Sequence, residues 1–426
     1  MTAPRLPAFA VFAGVLAAAG LPIYIHAPAV YAERHGVGLA TLGGVLAALR
    51  LVDVVQDPAL GWVAARLGRW RGTAVAAAGA AMAAAMLALF AVPPPVAPVI
   101  WFAGSLAVLF TAFSFLTIAF YAEGVRAAGV LGRGGHVRVA AWRETGALLG
   151  VCVAAAAPTL LGATGAPYSV FAGGFAALVA VAVVLMRRGW SAAPSVPSGF
   201  GRVLSDREAR RLLAIALLNA APVAVTSTLF LFYVRDRLDA PGAEGPLLIL
   251  FFLAAAGAAP LWAALARRTG AKAALLAGMA LSIAAFAVTL TLGAGDVWPF
   301  AAVSAASGAA LGADMTLLPA LFATRMARIA PEAAEGFGLW SLVSKATLAL
   351  AALTVLPALS VAGYDPAADA QPEAALERLT WLYAGLPCVL KALALAGLFA
   401  TPVGAETEPG GDPGGFPDRM TDKDAT

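Results

Sequence analysis

The sequence predicts an all-α membrane protein with twelve transmembrane helices in two pseudo-symmetric six-helix bundles. Three observations carry that expectation. Of 426 residues, 61% are hydrophobic and only 12% charged, against roughly 25% charged in a soluble domain. So few charges cannot cover a water-facing surface. The apolar residues also come in blocks. The stretches 7–27, 73–92 and 99–120 contain no Asp, Glu, Lys or Arg, and each is near the ~20 residues a helix needs to cross a bilayer core. Finally, the basic residues sort to alternate connections. With the N-terminus inside, the inner segments before the tail hold eighteen Arg and Lys and the outer segments hold four. That is the positive-inside bias of a polytopic helical protein.

In chain order the candidate spans are 7–27, 38–62, 73–92, 99–121, 139–161, 166–186, 211–233, 245–266, 273–293, 297–322, 337–361 and 379–400. The first, following Arg5, has the look of a signal peptide. It runs apolar to Ala27 and many spans follow, so it reads as the first membrane helix. Alanine-rich spans such as the third allow helices to pack closely. The inner connection 187–211 contains Pro194, Ser195, Pro197, Ser198 and Gly199 and divides the chain. The expected units are bundles 1–190 and 210–400, a cytoplasmic linker 191–209 and a disordered cytoplasmic tail 401–426, rich in Gly, Pro and Asp. A weak internal repeat supports the division. Gly61-Trp62-Val63-Ala64-Ala65-Arg66 is similar to Leu261-Trp262-Ala263-Ala264-Leu265-Ala266-Arg267 about half a chain later, as in transporters built from duplicated halves.

Charges within spans carry the chemistry, since each costs ~2.5–3.5 kcal/mol at a helix centre on insertion scales. Arg50, Asp53 and Asp57 are spaced i, i+3, i+7 on the second span and share one face. Arg50 can neutralise one carboxylate and leave the other for a proton or small cation. Gln56, and a helix break at Pro58, would add oxygen ligands. The plain alternative is an ion pair that only locks helices. Tyr121 and Glu123 end the fourth span, and Arg143 and Glu144 begin the fifth, as cavity contacts or interfacial anchors. Lys345 lies in the eleventh span, with Asp53 or Asp57 as its expected partner across the two halves. Asp314 lies in the tenth span, and Asn219, Thr226 and Thr228 in the seventh. Lys391, in the twelfth, reads as a lysine that snorkels to the interface. Cys152 and Cys388 sit in apolar blocks, so neither a disulfide framework nor a metal-ligand spacing is expected. His26, His35 and His136 form no catalytic or metal constellation, and no basic–aromatic patch points to nucleic acid.

The run Arg50-Leu51-Val52-Asp53-Val54-Val55-Gln56-Asp57-Pro58-Ala59-Leu60-Gly61 resembles the second-helix signature R-x-x-D-x-x-x-D-P-x-x-G of the glycoside–pentoside–hexuronide:cation symporter family, carriers of the melibiose-permease type in the major facilitator superfamily. Tyr31-Ala32-Glu33, Arg133, Arg138, Trp142-Arg143 and Gly336, Trp340, Lys345 fall at similar family positions. The resemblance implies that Asp53 and Asp57 are coupling-cation carboxylates, with Gln56, Ser114 and Thr117 beside them. It implies that Arg50, Arg143, Lys345, Tyr121 and Trp340 line a cavity. Gly61, Arg66, Gly68 and Arg69 resemble the superfamily's inner-loop gating motif G-x-x-x-D-R-x-G-R, with Ala65 in place of its Asp. Ala17 and Thr117 fall where the family has sugar-binding carboxylates, and Ala323-Thr324 where it has an Ala-Asp pair.

The expectation is therefore a cation- or proton-coupled symporter of a small polar solute such as a sugar, working by alternating access. It would be a monomer in the inner membrane with both termini cytoplasmic. H+ or Na+ would be a transported coupling ion, and no cofactor, enzymatic activity or nucleic-acid partner is expected. A lipid or lysolipid carrier of the same fold, suited to the apolar Ala17, is the alternative. A non-transporting membrane sensor is a remoter one.

Overall fold

A computed structural model of the chain describes residues 5–21, 26–132, 134–190, 199–330, 334–364 and 370–402. It is all helix, with no strand among the described residues. The long helices are α1 (Leu6–Leu21), α2 (Leu39–Arg66), α3 (Arg71–Phe90), α4 (Pro98–Leu131), α5 (Gly135–Leu160) and α6 (Pro167–Met186), followed by α7 (Arg207–Phe232), α8 (Glu244–Thr269), α9 (Ala271–Thr289), α10 (Val297–Ile329), α11 (Ala334–Ser360) and α12 (Glu373–Phe399). Short helices Ala27–His35 and Phe200–Ser205 precede α2 and α7. Nine of the long helices, searched among the described residues, are long and apolar enough to cross a membrane. The 16-residue α1 is apolar but shorter. α2 and α5 have 28 and 26 residues and carry the intramembrane charges of the first half. Residues 403–426 of the expected tail and 191–198 of the expected linker lie outside the described residues.

Each expected span has its helix, but several ends differ. α4 runs to Leu131 rather than 121, and α10 to Ile329 rather than 322. Hydropathy falls where the polar residues begin. Helical hydrogen bonding continues until a residue that cannot extend it, here Gly132 after α4 (φ +69°). The break expected at Pro58 does not occur, and α2 is continuous through it. Pro222, Pro260, Pro319 and Pro357 are likewise inside helices. In a membrane bundle, neighbouring helices and small local adjustments re-satisfy the freed backbone groups.

Small residues set the closest approaches. A Cβ on Gly146 of α5 would lie 2.1 Å from the Ala10 carbonyl oxygen of α1, and one on Gly308 of α10 2.2 Å from that of Phe251 in α8. The apolar core is uneven along the bundle. At the arginine-rich end, the first-half residues Ala64, Ala65 and Val125 share one buried cluster with Phe322, Met326, Ala334 and Phe337 of the second half. A small cluster of Leu148 with Ala255, Ala256 and Leu311 joins the halves again through α5, α8 and α10. Toward the far end, the second half has its own cluster, including Leu229, Tyr233, Phe300, Val355 and Tyr383. That cluster contains no first-half residue among those described. The halves are therefore joined most extensively at the arginine-rich end.

Candidate functional site

Two antiparallel stripes build the principal site. On α2, Asp53, Asp57 and Gly61 recur every four residues. On α11, Gly338, Ser341 and Lys345 are spaced three and four apart, so each set lies on one helix face. The stripes meet rung by rung. A Cβ on Gly338 would stand 3.0 Å from the Asp57 carbonyl oxygen and 3.4 Å from the Gly61 Cα, and one on Gly61 2.9 Å from the Ala334 carbonyl oxygen. With no side chain at either glycine, the backbones come close enough for the polar residues above to bond. Ser341 Oγ donates to Asp57 Oδ2. Lys345 Nζ lies 2.7 Å from Asp53 Oδ2, 2.9 Å from Asp57 Oδ2 and 3.0 Å from Asp57 Oδ1. From α4, Ser114 Oγ sits 2.6 Å from Lys345 Nζ and donates to Asp53 Oδ1 at 2.8 Å. Gln56 Nε2 donates to Asp53 Oδ1 at 2.9 Å, and Thr111 Oγ1 donates to Gln56 Oε1 at 3.2 Å. Asp53 and Asp57 are 2% and 0% exposed, and Lys345 is 8% exposed. An ammonium of the second half is thus held by two carboxylates of the first.

A second polar group forms nearer the arginine-rich end of the first half. Arg143 Nε donates to Glu144 Oε1 at 2.7 Å, its guanidinium lies 3.7 Å from the Tyr121 ring centroid, and Tyr121 OH donates to Glu144 at 3.3 Å. The Tyr121 ring also meets Phe337 of α11 at 5.1 Å. A third group lies within the second half. Lys391 of α12 donates to Asp314 of α10 at 2.5 Å and to Asn219 of α7 at 2.7 Å. Lys391 is only 2% exposed, so it does not snorkel as the sequence suggested. An acidic partner inside the bundle holds it in place of the interface.

The structure thus brings together Asp53, Gln56, Asp57, Ser114 and Lys345. Arg143 and Tyr121 pair with each other, and no hydrogen bond among the described residues joins them to that cluster. Thr117 stays outside it, its buried hydroxyl without a hydrogen-bond partner among the described residues. Trp340 packs its ring 5.0 Å from Phe322, an apolar contact. The side chain of Arg50 lies outside the described residues. Of the loop residues, Gly61 is the close approach just described, and Gly68, at φ +45°, makes the left-handed turn into α3. Arg66 and Arg69 are exposed and lie over Trp62 and Trp70. The buried arginine of this loop is Arg71, whose Nη2 donates to the Ala64 carbonyl at 3.4 Å. Sequence reading missed Ser341, Thr111 and Arg71. Ser341 was findable, since it stands one turn before Lys345 on the same face. Nothing in the spacing marked Arg71 among three nearby arginines.

Twelve long helices among the described residues, in two halves with ionisable side chains buried between them, have the arrangement of a membrane transporter of the major facilitator fold. Residues 8–405 match the family described as MFS/sugar transport protein, and the chain belongs to that family. Its members are transporters, not enzymes, and act on small molecules. Among solved structures the chain is similar to a bacterial homologue of the iron transporter ferroportin in an outward-facing state, with a TM-score of 0.71 at 14% identity over 93% of this chain and 99% of that one. It is also similar to that homologue with soaked iron, with a TM-score of 0.70 at 16% identity and the same coverage. At such identity the likeness is one of fold. No curated protein matches the sequence.

Proposed function

We propose that this transporter is a cation- or proton-coupled symporter of a small polar solute such as a sugar, of the glycoside–pentoside–hexuronide:cation type. One observation carries the reading: Lys345 of the second half is held by Asp53 and Asp57 of the first. The ammonium stands where a coupling cation would sit between the two carboxylates. A proton or Na+ taken up there weakens the hold on Lys345 and so loosens α11 from α2. Solute then drives the exchange of states only by binding the released state more tightly. The positive-inside bias supports an arginine-rich end and both termini on the cytoplasmic side of the inner membrane. The shared apolar core then closes the inner side, as in an outward-facing state of the alternating-access cycle. The test is transport in reconstituted vesicles. Asp53→Asn and Asp57→Asn should each keep solute exchange down a gradient and lose accumulation against one. Uphill transport at the normal rate by both variants would overturn the assignment.

A further inference from the structure

The Asp314 group is not used by that mechanism, and it differs from an ordinary locked ion pair. Lys391 Nζ bonds Asp314 through Oδ2 alone. The other carboxylate oxygen, Oδ1, is buried and makes no hydrogen bond of good geometry among the described residues, although the Asn219 side chain lies close to the carboxyl. Asp314 is 6% exposed, Asn219 6% and Lys391 2%. A buried acceptor left unsatisfied costs about 1–3 kcal/mol, more when it is charged, and a proton on the bare oxygen relieves that cost while weakening the ion pair with Lys391. We propose that Asp314, braced by Lys391 and Asn219, is a second proton-binding site of this transporter, within the C-terminal helices and separate from the Asp53–Asp57–Lys345 cluster.

The surroundings favour a proton over a larger ion. Lys391 already fills the cation position at Oδ2, which leaves no room for a metal ion with its own ligands, whereas a proton adds no bulk and turns Oδ1 into a donor. Lys391 keeps the Asn219 oxygen, at 2.7 Å, whichever form Asp314 takes. The ionisable neighbours are few. α12 also contributes Cys388, whose thiol points to the Ile283 carbonyl oxygen of α9 at 3.7 Å. α7 presents the neutral amide of Asn219, and its charges Arg207, Glu208, Arg210 and Arg211 are confined to its first five residues. α8 carries its charges at its ends, as Glu244, Arg267 and Arg268, and α9 has Lys272 near its start. The α5 charges Arg143 and Glu144 bond each other. The α4 charges Glu123 and Arg126 form their own pair at 2.7 Å.

Position gives such a proton leverage. On α10, Leu311 belongs to the cluster that joins the halves through Leu148 of α5, and Met315 packs against it. On α7, Val223, four residues after Asn219, packs there too. Asp314 therefore stands one turn from the α10 residue that touches the opposite half, and its charge state bears on that contact.

Infrared difference spectroscopy of the full-length protein in lipid vesicles, between acid and alkaline buffer, tests the site. A carboxyl C=O band should be present in wild type, absent in Asp314→Asn, and retained in Asp53→Asn and Asp57→Asn. Asp314→Glu, which keeps a carboxyl, should shift the band and provides the assignment if the Asn variant is not recovered. A structural ion pair would stay ionised and give no such band. A spectrum unchanged in Asp314→Asn, or a band unmoved in Asp314→Glu, overturns the proposal. Loss of the band only in Asp53→Asn or Asp57→Asn places the proton in the other cluster and overturns it as well.

Discussion

Replacing Lys345 with Met removes one charge and keeps most of the side-chain length. The structure sets the scale of the effect. The ammonium is within 2.7 to 3.0 Å of both carboxylates and 2.6 Å from Ser114 Oγ, and all of these groups are nearly inaccessible. Removing one member of a buried ion pair typically destabilises by about 3–5 kcal/mol, because the remaining charge is left uncompensated. Here two carboxylates are left, and the loss should reach that range, well above the ~0.2–1 kcal/mol of an exposed pair. Adding Asp57→Asn to Lys345→Met removes one stranded charge and should restore part of the loss. The double variant should then be more stable than the sum of the singles by ~1–3 kcal/mol, the coupling expected of groups in one network. Denaturant or thermal unfolding of the purified protein measures all four corners of the cycle. A loss below about 1 kcal/mol for Lys345→Met, or additive effects in the double variant, would show that the cluster is not the buried charge network described here.

Two other outcomes test the gate and the second-half anchor. Gly61→Val and Gly338→Val place side-chain atoms where a Cβ alone would come within 2.9 Å and 3.0 Å of backbone oxygens, so both should hold the arginine-rich end open. A cysteine introduced on the inner ends of α2 or α11 should react faster with a polar thiol reagent in these variants, and unchanged reactivity would refute the role of the approach. Asp206 accepts from Arg325 Nη2 at 2.5 Å and caps α7 through the Ala209 amide at 2.7 Å, and the Arg325 guanidinium chiefly holds its carboxyl below the usual range. A depressed folded pKa gives stability that is present above the ordinary carboxylate value and lost as pH falls through the folded one. Asp206→Asn keeps the cap and loses only the ion pair, so its small deficit at neutral pH should vanish in acid, while Asp206→Ala should stay about 1 kcal/mol worse at every pH; a deficit in Asp206→Asn that persists in acid would refute the charge argument.

Much of the architecture was legible because bilayer crossing is a local demand. A helix in lipid must satisfy its own backbone, so the spans announce themselves as long, predominantly apolar blocks. The ends were less legible. α4 and α10 continue past their apolar stretches, since helix formation needs only the absence of a stop. Pro58 misled as a break for the complementary reason: a proline deters an isolated helix, but neighbours in a bundle repair what it frees.

The candidate site divides in the same way. Sequence by itself determined which ionisable groups lie at membrane depth and which share a helix face, because helical periodicity converts spacing into direction. Asp53 with Asp57 is of that kind, and Ser341 with Lys345 was open to the same reasoning although sequence reading missed it. Only the tertiary structure decided which helix meets which. That choice depends on where two backbones can approach, at Gly61 and Gly338 for α2 and α11, some 280 residues apart in the chain. The same holds for Lys391: its sequence neighbours contain no acid, and its partner Asp314 lies 77 residues away on another helix. A buried charge is stabilised by whatever folding places beside it, and that neighbour is set by packing between helices, which no single helix's sequence specifies.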